Sequence, residues 1–168
     1  MSEFDLRLAT SDDGSRLQFI SAQARGRYRS IPALAHIANS PPLDASRFEP
    51  CRVEVVVDRA NSEVLGYAAM RPLDGLLYLD NISVALGSSG RGIGNMLLSS
   101  VVAYAANLQL PAVSLTTFKE PSWNGPWFRK HCFQAMPFSQ IGIGLREVME
   151  RQWQTLDPDS RETLWRPL

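Results

Sequence analysis

Cysteine is scarce in this chain. Cys51 and Cys132 are its only two, too few for a disulfide framework. Histidine is equally scarce, with two in the chain, and no cluster of His, Cys and carboxylates has zinc-ligand spacing, so no metal is expected. An excess of either charge is missing: 17 Lys and Arg balance 17 Asp and Glu, with no basic stripe, so nucleic acid is not an expected partner. Long apolar runs are missing too. The longest uncharged stretch, Gly92 to Phe118, is broken by Asn95, Ser99, Ser100, Asn107, Gln109 and Pro111, so no membrane span is expected. The N-terminus carries Glu3, Asp5 and Arg7 and no apolar signal-peptide core, which makes a cytoplasmic setting the expectation.

What is present suits one folded domain over residues 1–168. Hydrophobic residues make up 45% and charged residues 20%, enough apolar surface to close a core and too little charge for a disordered chain. Phe4, Leu6 and Leu8 alternate in a strand over Glu3 to Leu8. Thr10 or Ser11 then caps a helix with Asp12 and Asp13 in its first turn and Leu17, Ile20, Ser21 and Ala24 on its buried side. Pro32 interrupts a second helical stretch near Ile31 to Ala38, and Ser40-Pro41-Pro42 reads as a loop. Arg52 to Val57 and Val64 to Arg71 read as a hairpin turning at Asp58 to Ser62. The Asp74-Gly75 turn leads into a strand over Leu76 to Val84.

Gly87 to Gly90 reads as a loop, followed by the clearest helix, Ile93 to Asn107, with Ile93, Leu97, Val101 and Tyr104 at helical spacing. Ala112 to Phe118 is a β-branched buried strand, and a short helix begins near Asn124. Phe133 to Ser139 is expected as a strand, Leu145 to Gln154 as a helix and Thr163 to Trp165 as a last strand. The fold class is therefore α+β (α/β mixed): a mostly antiparallel sheet with helices on both faces.

Gly90, Gly92 and Gly94 lie between a strand and that strong helix. Glycine reaches backbone angles that let successive N–H groups converge on one anion, and the helix start adds unpaired N–H groups and partial positive charge. Arg91 adds a full charge, so Ser89-Gly90-Arg91-Gly92-Ile93-Gly94 is a candidate pyrophosphate loop. A plain tight turn is the simpler reading of the same letters. A dinucleotide fold would need an acidic residue about 20 residues on, at the end of the next strand. Glu120 lies too far along, in a loop, and the preceding strands read as hairpins.

The segment Leu79-Asp80-Asn81-Ile82-Ser83-Val84, followed by Ser89-Gly90-Arg91-Gly92-Ile93-Gly94-Asn95-Met96-Leu97-Leu98, resembles the acetyl-CoA motif of the GNAT acetyltransferase superfamily. A second segment, Leu115-Thr116-Thr117-Phe118 through Trp123-Asn124-Gly125-Pro126-Trp127-Phe128 to Cys132-Phe133, resembles a subgroup pattern of Thr-Thr-Phe, then Trp-Asn-Ala-Pro-Phe-Tyr, then Leu-Gly-Phe. Arg29-Ser30-Ile31-Pro32 and Arg166-Pro167-Leu168 are similar to the same subgroup. The resemblance implies a GNAT-like central sheet, splayed between two strands to form an acyl-CoA cleft. It implies acetyl-CoA, or another acyl-CoA, as co-substrate, and a small-molecule or peptide amine as acceptor; a homodimer is compatible with it. Carried over, Ile82, Ser83 and Val84 line the pantetheine arm. Ser89, Gly90, Arg91, Gly92, Ile93, Gly94 and Asn95 hold the pyrophosphate, Asn124, Trp127 and Phe128 lie on the pantetheine side, and Tyr28 and Arg29 lie where such folds bind the acceptor.

The chain departs from the pattern at four places. Ser89 stands for Gln or Arg, Asn81 for one of two usual carboxylates, Phe128 for a tyrosine and Cys132 for a glycine. The last three bear on catalysis more than on binding. Acyl transfer to an amine needs a proton acceptor, because a lysine-like amine has a pKa of ~10.4. Asp80 is the candidate base, acting through a water, or else only a polar strand end. The N–H near Ile82 is the candidate oxyanion donor. Phe128 cannot protonate the leaving thiolate, so the enzyme is slow, another group substitutes, or the chain binds acyl-CoA without turnover. Cys132 reads as a small packed residue at a helix end, with His131 partly exposed beside it. Trp123, Trp127 and Phe128 either shape an acceptor pocket or fill core, and Tyr28 and Arg29 either meet the acceptor or are surface residues.

Overall fold

The computed structural model describes residues 2–41 and 43–168; Met1, and Pro42 of the expected Ser40-Pro41-Pro42 loop, lie outside the described residues. The strands are β1 (Phe4–Leu8), β2 (Arg52–Asp58), β3 (Val64–Leu73), β4 (Leu76–Val84), β5 (Ala112–Phe118), β6 (Gln134–Ala135) and β7 (Arg161–Pro167). The α-helices are α1 (Gly14–Gly26), α2 (Ile93–Asn107), α3 (Gly125–Lys130) and α4 (Ile143–Gln152). The strands follow the order β1-β2-β3-β4-β5-β7-β6 in one mixed, mostly antiparallel sheet, the fold class expected from the hairpin signals. The chain divides into two compact units, Met1–Met70 with Asn81–Ser100 and Arg71–Asp80 with Val101–Leu168.

In the first unit the pleat of the sheet sorts residues onto two faces. Val55, Val57, Tyr67 and Ala69 pack with Leu17 and Ile20 of α1 and with Phe48. On the opposite face Gly66 lies under α2, where an added Cβ would sit 2.9 Å from Ile93 and 3.2 Å from Leu97. Helices thus cover both faces here. The buried carboxylate of Glu54 is matched on the spot, by Arg52 at 2.8 Å and by the Ser100 hydroxyl of α2. Burying that charge without partners would be costly.

Before α1, a short 3-10 turn (Ser11–Asp13) starts at Thr10. The Asp13 carboxylate accepts from the Thr10 N–H at 2.7 Å and from both Nη atoms of Arg7 at 2.8 and 3.0 Å. The Arg7 contact, then the Thr10 amide, hold the Asp13 carboxyl below the usual carboxylate range against the opposing effect of burial. A lowered folded pKa stabilises above the unfolded value of about 4, and that stability is lost as pH falls through the folded pKa. Asp13→Asn is expected to cost about 1 kcal/mol at neutral pH. Urea melts at neutral pH and below pH about 4 should show the difference shrinking in acid.

In the second unit β4 pairs parallel with β5 at Leu77↔Val113 and Tyr78↔Ser114, and β5 pairs antiparallel with β7 along its whole length. Tyr78, Met136, Leu145 and Val148 form its core against α4. The Asp74-Gly75 turn has φ of 54° and 76°, the left-handed pair that a tight hairpin requires. Its Asp74 carboxylate also caps α4, accepting from the N–H groups of Gly144 at 2.9 Å and Leu145 at 2.8 Å.

Several local expectations change. Leu8 points out, 52% exposed, so only the first part of β1's alternation faces the core. Pro32 begins a 3-10 stretch (Pro32–Asn39) rather than interrupting a helix, because the first position of a helix needs no N–H. The expected strand over Phe133 to Ser139 shrinks to β6, and a 3-10 turn (Phe138–Gln140) follows it. Pro137 supplies no N–H for a longer ladder.

Candidate functional site

The motif strand β4 changes character along its length. Leu77, Tyr78 and Leu79 are buried, whereas Asp80, Asn81, Ile82, Ser83 and Val84 are each half-exposed. Two of these, Ile82 and Val84, are branched apolar residues. Asn81 is held in place, its Oδ1 accepting from the Ser83 hydroxyl at 2.8 Å. The strand end is tied to β3 by the Ala85 N–H donating to the Leu65 carbonyl at 2.7 Å.

A 3-10 turn (Leu86–Ser88) leads into the glycine loop. Gly90 and Gly92 have φ of 79° and 84°, and a Cβ at either would meet open space. Conformation, not crowding, therefore demands glycine at both. Ile93, 1% exposed, opens α2 and clamps it to the sheet beneath. The helix ladder starts with the Met96 N–H donating to the Gly92 carbonyl at 3.0 Å, so the amides of Ile93 and Gly94 precede it. No acidic side chain occupies the first turn, so the positive end of the helix keeps its field. Gly94 and Asn95 lie in that turn. Ser89 and Arg91 are exposed; the Arg91 guanidinium lies 4.8 Å over the Phe4 ring and 4.0 Å from Glu3. The first unit therefore presents, in one loop, the amides, the dipole and a cation that an anion requires.

Tyr28, expected either at the acceptor or on the surface, is 9% exposed in a 3-10 turn (Arg27–Ser30), while Arg29 is exposed. Tyr67 was not singled out by the sequence analysis. Tyr67 is fully buried, and its hydroxyl lies toward Ser21 and Ser83 without a hydrogen bond of good geometry. Burial pushes its pKa up, so the hydroxyl stays protonated. The signal for close packing was Gly66 inside a strand of large residues, which marks an approaching backbone or helix.

In the second unit Asn124 stands at the start of α3, its carbonyl accepting from the Phe128 N–H at 3.1 Å. Trp127 is half-exposed and its ring lies 4.4 Å from His131, whose Nδ1 meets the Trp127 carbonyl at 2.8 Å. Phe128 is 6% exposed, edge-on to Trp127 at 5.0 Å and Phe133 at 5.5 Å. Trp123 is half-exposed. The candidate proton-donor position is thus a ring packed among rings.

Cys132 corrects an expectation: it is exposed, not packed, with φ of 69°. The Cys132 N–H donates to the Arg129 carbonyl at 3.3 Å and the Phe133 N–H to the Phe128 carbonyl at 3.2 Å. This is the left-handed helix ending at which glycine is preferred, completed by the Phe128–Phe133 contact. Cys132→Gly is expected to stabilise the chain by about 1 kcal/mol, because a side chain there is strained. An unchanged or lower chemical-denaturation midpoint would contradict that. Among the described residues no group of three or more His, Cys, Asp or Glu could hold a metal, and no helix is long and apolar enough to cross a membrane.

Solved structures share this architecture. A GNAT-family acetyltransferase from Staphylococcus aureus aligns with a TM-score of 0.70 at 13% identity, over 98% of this chain and 99% of that one. PaiA N-acetyltransferase from Thermoplasma acidophilum, solved in complex with coenzyme A, gives 0.68 at 12% identity over all of both chains. The ribosomal-protein-S18-alanine N-acetyltransferase from Escherichia coli gives 0.68 at 11% identity, over 98% of this chain and 93% of that one. At such identities the likeness establishes the fold. The family model described as the Acetyltransferase (GNAT) family matches residues 24–124, which take in the Arg25 to Arg29 segment, the motif strand and the whole glycine loop. With more than half its length inside that match, the chain belongs to the acetyltransferase (GNAT) family.

Proposed function

We propose that the chain is an N-acetyltransferase that moves the acetyl group of acetyl-CoA to a primary amine by direct attack, and that it belongs to the subgroup marked by Thr116-Thr117-Phe118 and Trp123-Asn124-Gly125-Pro126. One observation carries the reading: two glycines at positive φ, followed by a helix start with no acid in its first turn. That arrangement suits a diphosphate. In this reading Ser89 to Asn95 hold the pyrophosphate, and the backbone of Ile82, Ser83 and Val84 meets the pantetheine arm. Asn124, Trp127 and Phe128 flank the arm, and Tyr28 and Arg29 border the acceptor.

The chemistry follows from the groups present. The amine nitrogen bonds to the thioester carbon, the carbon–sulfur bond breaks, and the electron pair leaves on sulfur. The amine's proton passes to Asp80 through a water. The Ile82 N–H faces the oxyanion as it forms. A thiol pKa of about 8.5 makes the leaving group tolerable without an acid, which suits a chain with Phe128 at that position. The acceptor is a small molecule or peptide; nucleic acid and membrane are not partners, and self-association as a homodimer is compatible with the reading.

Phe128 also favours a second reading, a module that binds acyl-CoA with little turnover. Calorimetric titration with coenzyme A, followed by thiol detection over an amine panel, separates the two. The first reading expects micromolar-range binding and amine-dependent thiol release. The second expects binding alone. A chain that does not bind coenzyme A refutes both. In the same titration Gly92→Val is expected to weaken coenzyme A by about tenfold or more, since valine cannot hold a φ of 84° without strain.

A further inference from the structure

The helix α3 is six residues long, too short to hold its own direction in water, so its tilt is set by what it touches. One carboxylate touches it near both ends. Glu162 of β7, its side chain 13% exposed, meets Arg129 in a two-pronged fork: Nη1 donates to Oε1 at 2.6 Å and Nη2 to Oε2 at 2.7 Å. The same Oε1 lies over Gly125, the first residue of α3, where an added Cβ would run into it. Gly125 and Arg129 are four positions apart and so share one face of the helix. The carbonyl oxygens of Phe118 and Lys119 lie 3.0 Å from that same Cβ position, so backbone crowds it as well. The Glu162 main chain is paired with Thr117, in a ladder between β5 and β7 that runs to Phe118 at the end of β5. Glu162 therefore joins the end of β5 to α3, by main chain on one side and carboxylate on the other.

Such a fork constrains direction as well as distance, because two parallel charge-assisted bonds fix the planes of both groups. With the carboxylate mostly buried, solvent screens the pair less than it would an open one. The missing Cβ at Gly125 is what lets the carboxylate reach the helix start. We propose that Glu162 is a positioning residue of the transferase: by bracketing α3 it sets the placement of Asn124, Trp127 and Phe128, and through them that of the thioester. The proposal rests on the transferase reading for the roles of those three residues. The bracket itself rests only on residues of the second unit. A misplacement of about 1 Å away from the chemistry can cost ~10²-fold in rate. The proposed grip on the diphosphate belongs to the glycine loop of the first unit instead. Loss of the Glu162 bracket therefore falls on kcat and spares coenzyme A affinity.

The test is steady-state kinetics with acetyl-CoA, beside calorimetric titration with coenzyme A. The acceptor probes are 2-phenylethylamine, Nα-acetyl-lysine amide and trialanine amide. The variants are Glu162→Gln, Glu162→Ala, Arg129→Lys and Gly125→Ala, each measured well below its own melting temperature. Glu162→Gln is expected to lower kcat about tenfold, with coenzyme A affinity within about threefold of wild type. Arg129→Lys should lose less, since the charge remains without the planar fork. Gly125→Ala, which pushes the carboxylate aside, should lower kcat by itself yet add at most about twofold to the loss in Glu162→Ala, because both act on one contact. An unchanged kcat in Glu162→Gln overturns the proposal, as do losses from Gly125→Ala and Glu162→Ala that simply multiply. Fluorine NMR of the fluorotryptophan-labelled chain needs no turnover and separates the failures. Its Trp127 signal, identified by its loss in Trp127→Phe, should move in Glu162→Gln, and a signal that stays in place overturns the bracket. A chain whose Trp127 signal moves but which acetylates none of the amines loses the transferase reading alone. One that acetylates an amine with wild-type kcat in Glu162→Gln loses the positioning role alone.

Discussion

Gly66→Val is expected to lower both the stability of the chain and its affinity for coenzyme A. Any Cβ at this position would lie 2.9 Å from the Ile93 methyl, 3.0 Å from the Ser83 carbonyl oxygen and 3.2 Å from Leu97. The Ser83 oxygen is backbone of the motif strand and cannot swing aside, so α2 must lift at its first turn. Overpacking of this kind costs typically 1–3 kcal/mol, which for a chain of this size is a melting-temperature loss of roughly 2–12 °C. The first turn of α2 is also the end of the glycine loop. Its displacement re-aims the amides of Ile93 and Gly94, and coenzyme A affinity should fall about tenfold or more. Thermal melts and calorimetry on the purified variant read both effects. Wild-type affinity in a destabilised variant would separate the loop from the helix, contrary to the proposed grip on diphosphate.

Phe128→Tyr is expected to raise kcat, by on the order of tenfold or more, with KM nearly unchanged. A general acid is typically worth ~10²–10⁴-fold, and the amount recovered depends on how the hydroxyl is placed. The Phe128 ring is wedged between Trp127 and Phe133, so its direction is set by packing that a tyrosine ring can share. A rise in kcat alone marks a group acting on the departing thiolate, whereas a change in KM alone would mark altered binding. The pH–rate profile adds a second check, because a tyrosine acid introduces an alkaline limb near its own pKa. A variant with unchanged kcat at every pH would show that the leaving thiolate takes its proton elsewhere.

The two departures at the end of α3 differ in kind. Cys132 occupies a backbone position that favours glycine, so its cost falls on stability and is independent of substrate. Phe128 sits in helical backbone, and under the proposed function its consequence is a missing hydroxyl. Linear motif matching scores both as mismatches, yet only the backbone angle separates the structural one from the chemical one.

The bounds of β4, α2 and β5 were legible in the chain itself. Asp74-Gly75 and the Gly90 to Gly94 run punctuate long apolar segments, and local backbone preference is strong where glycine and proline act. The candidate pyrophosphate loop was legible for the same reason, since the chemistry of successive amides at a helix start is local in sequence. Other features depended on tertiary packing. Leu8 turned outward although its alternation continued, and β6 kept two residues of an expected strand, because strand length is set by what lies alongside. Ile20 and Tyr67 lie far apart in the chain and share one core only because α1 is laid on β3. No local period encodes such a meeting, because burial draws together apolar surface from residues that are distant in the chain.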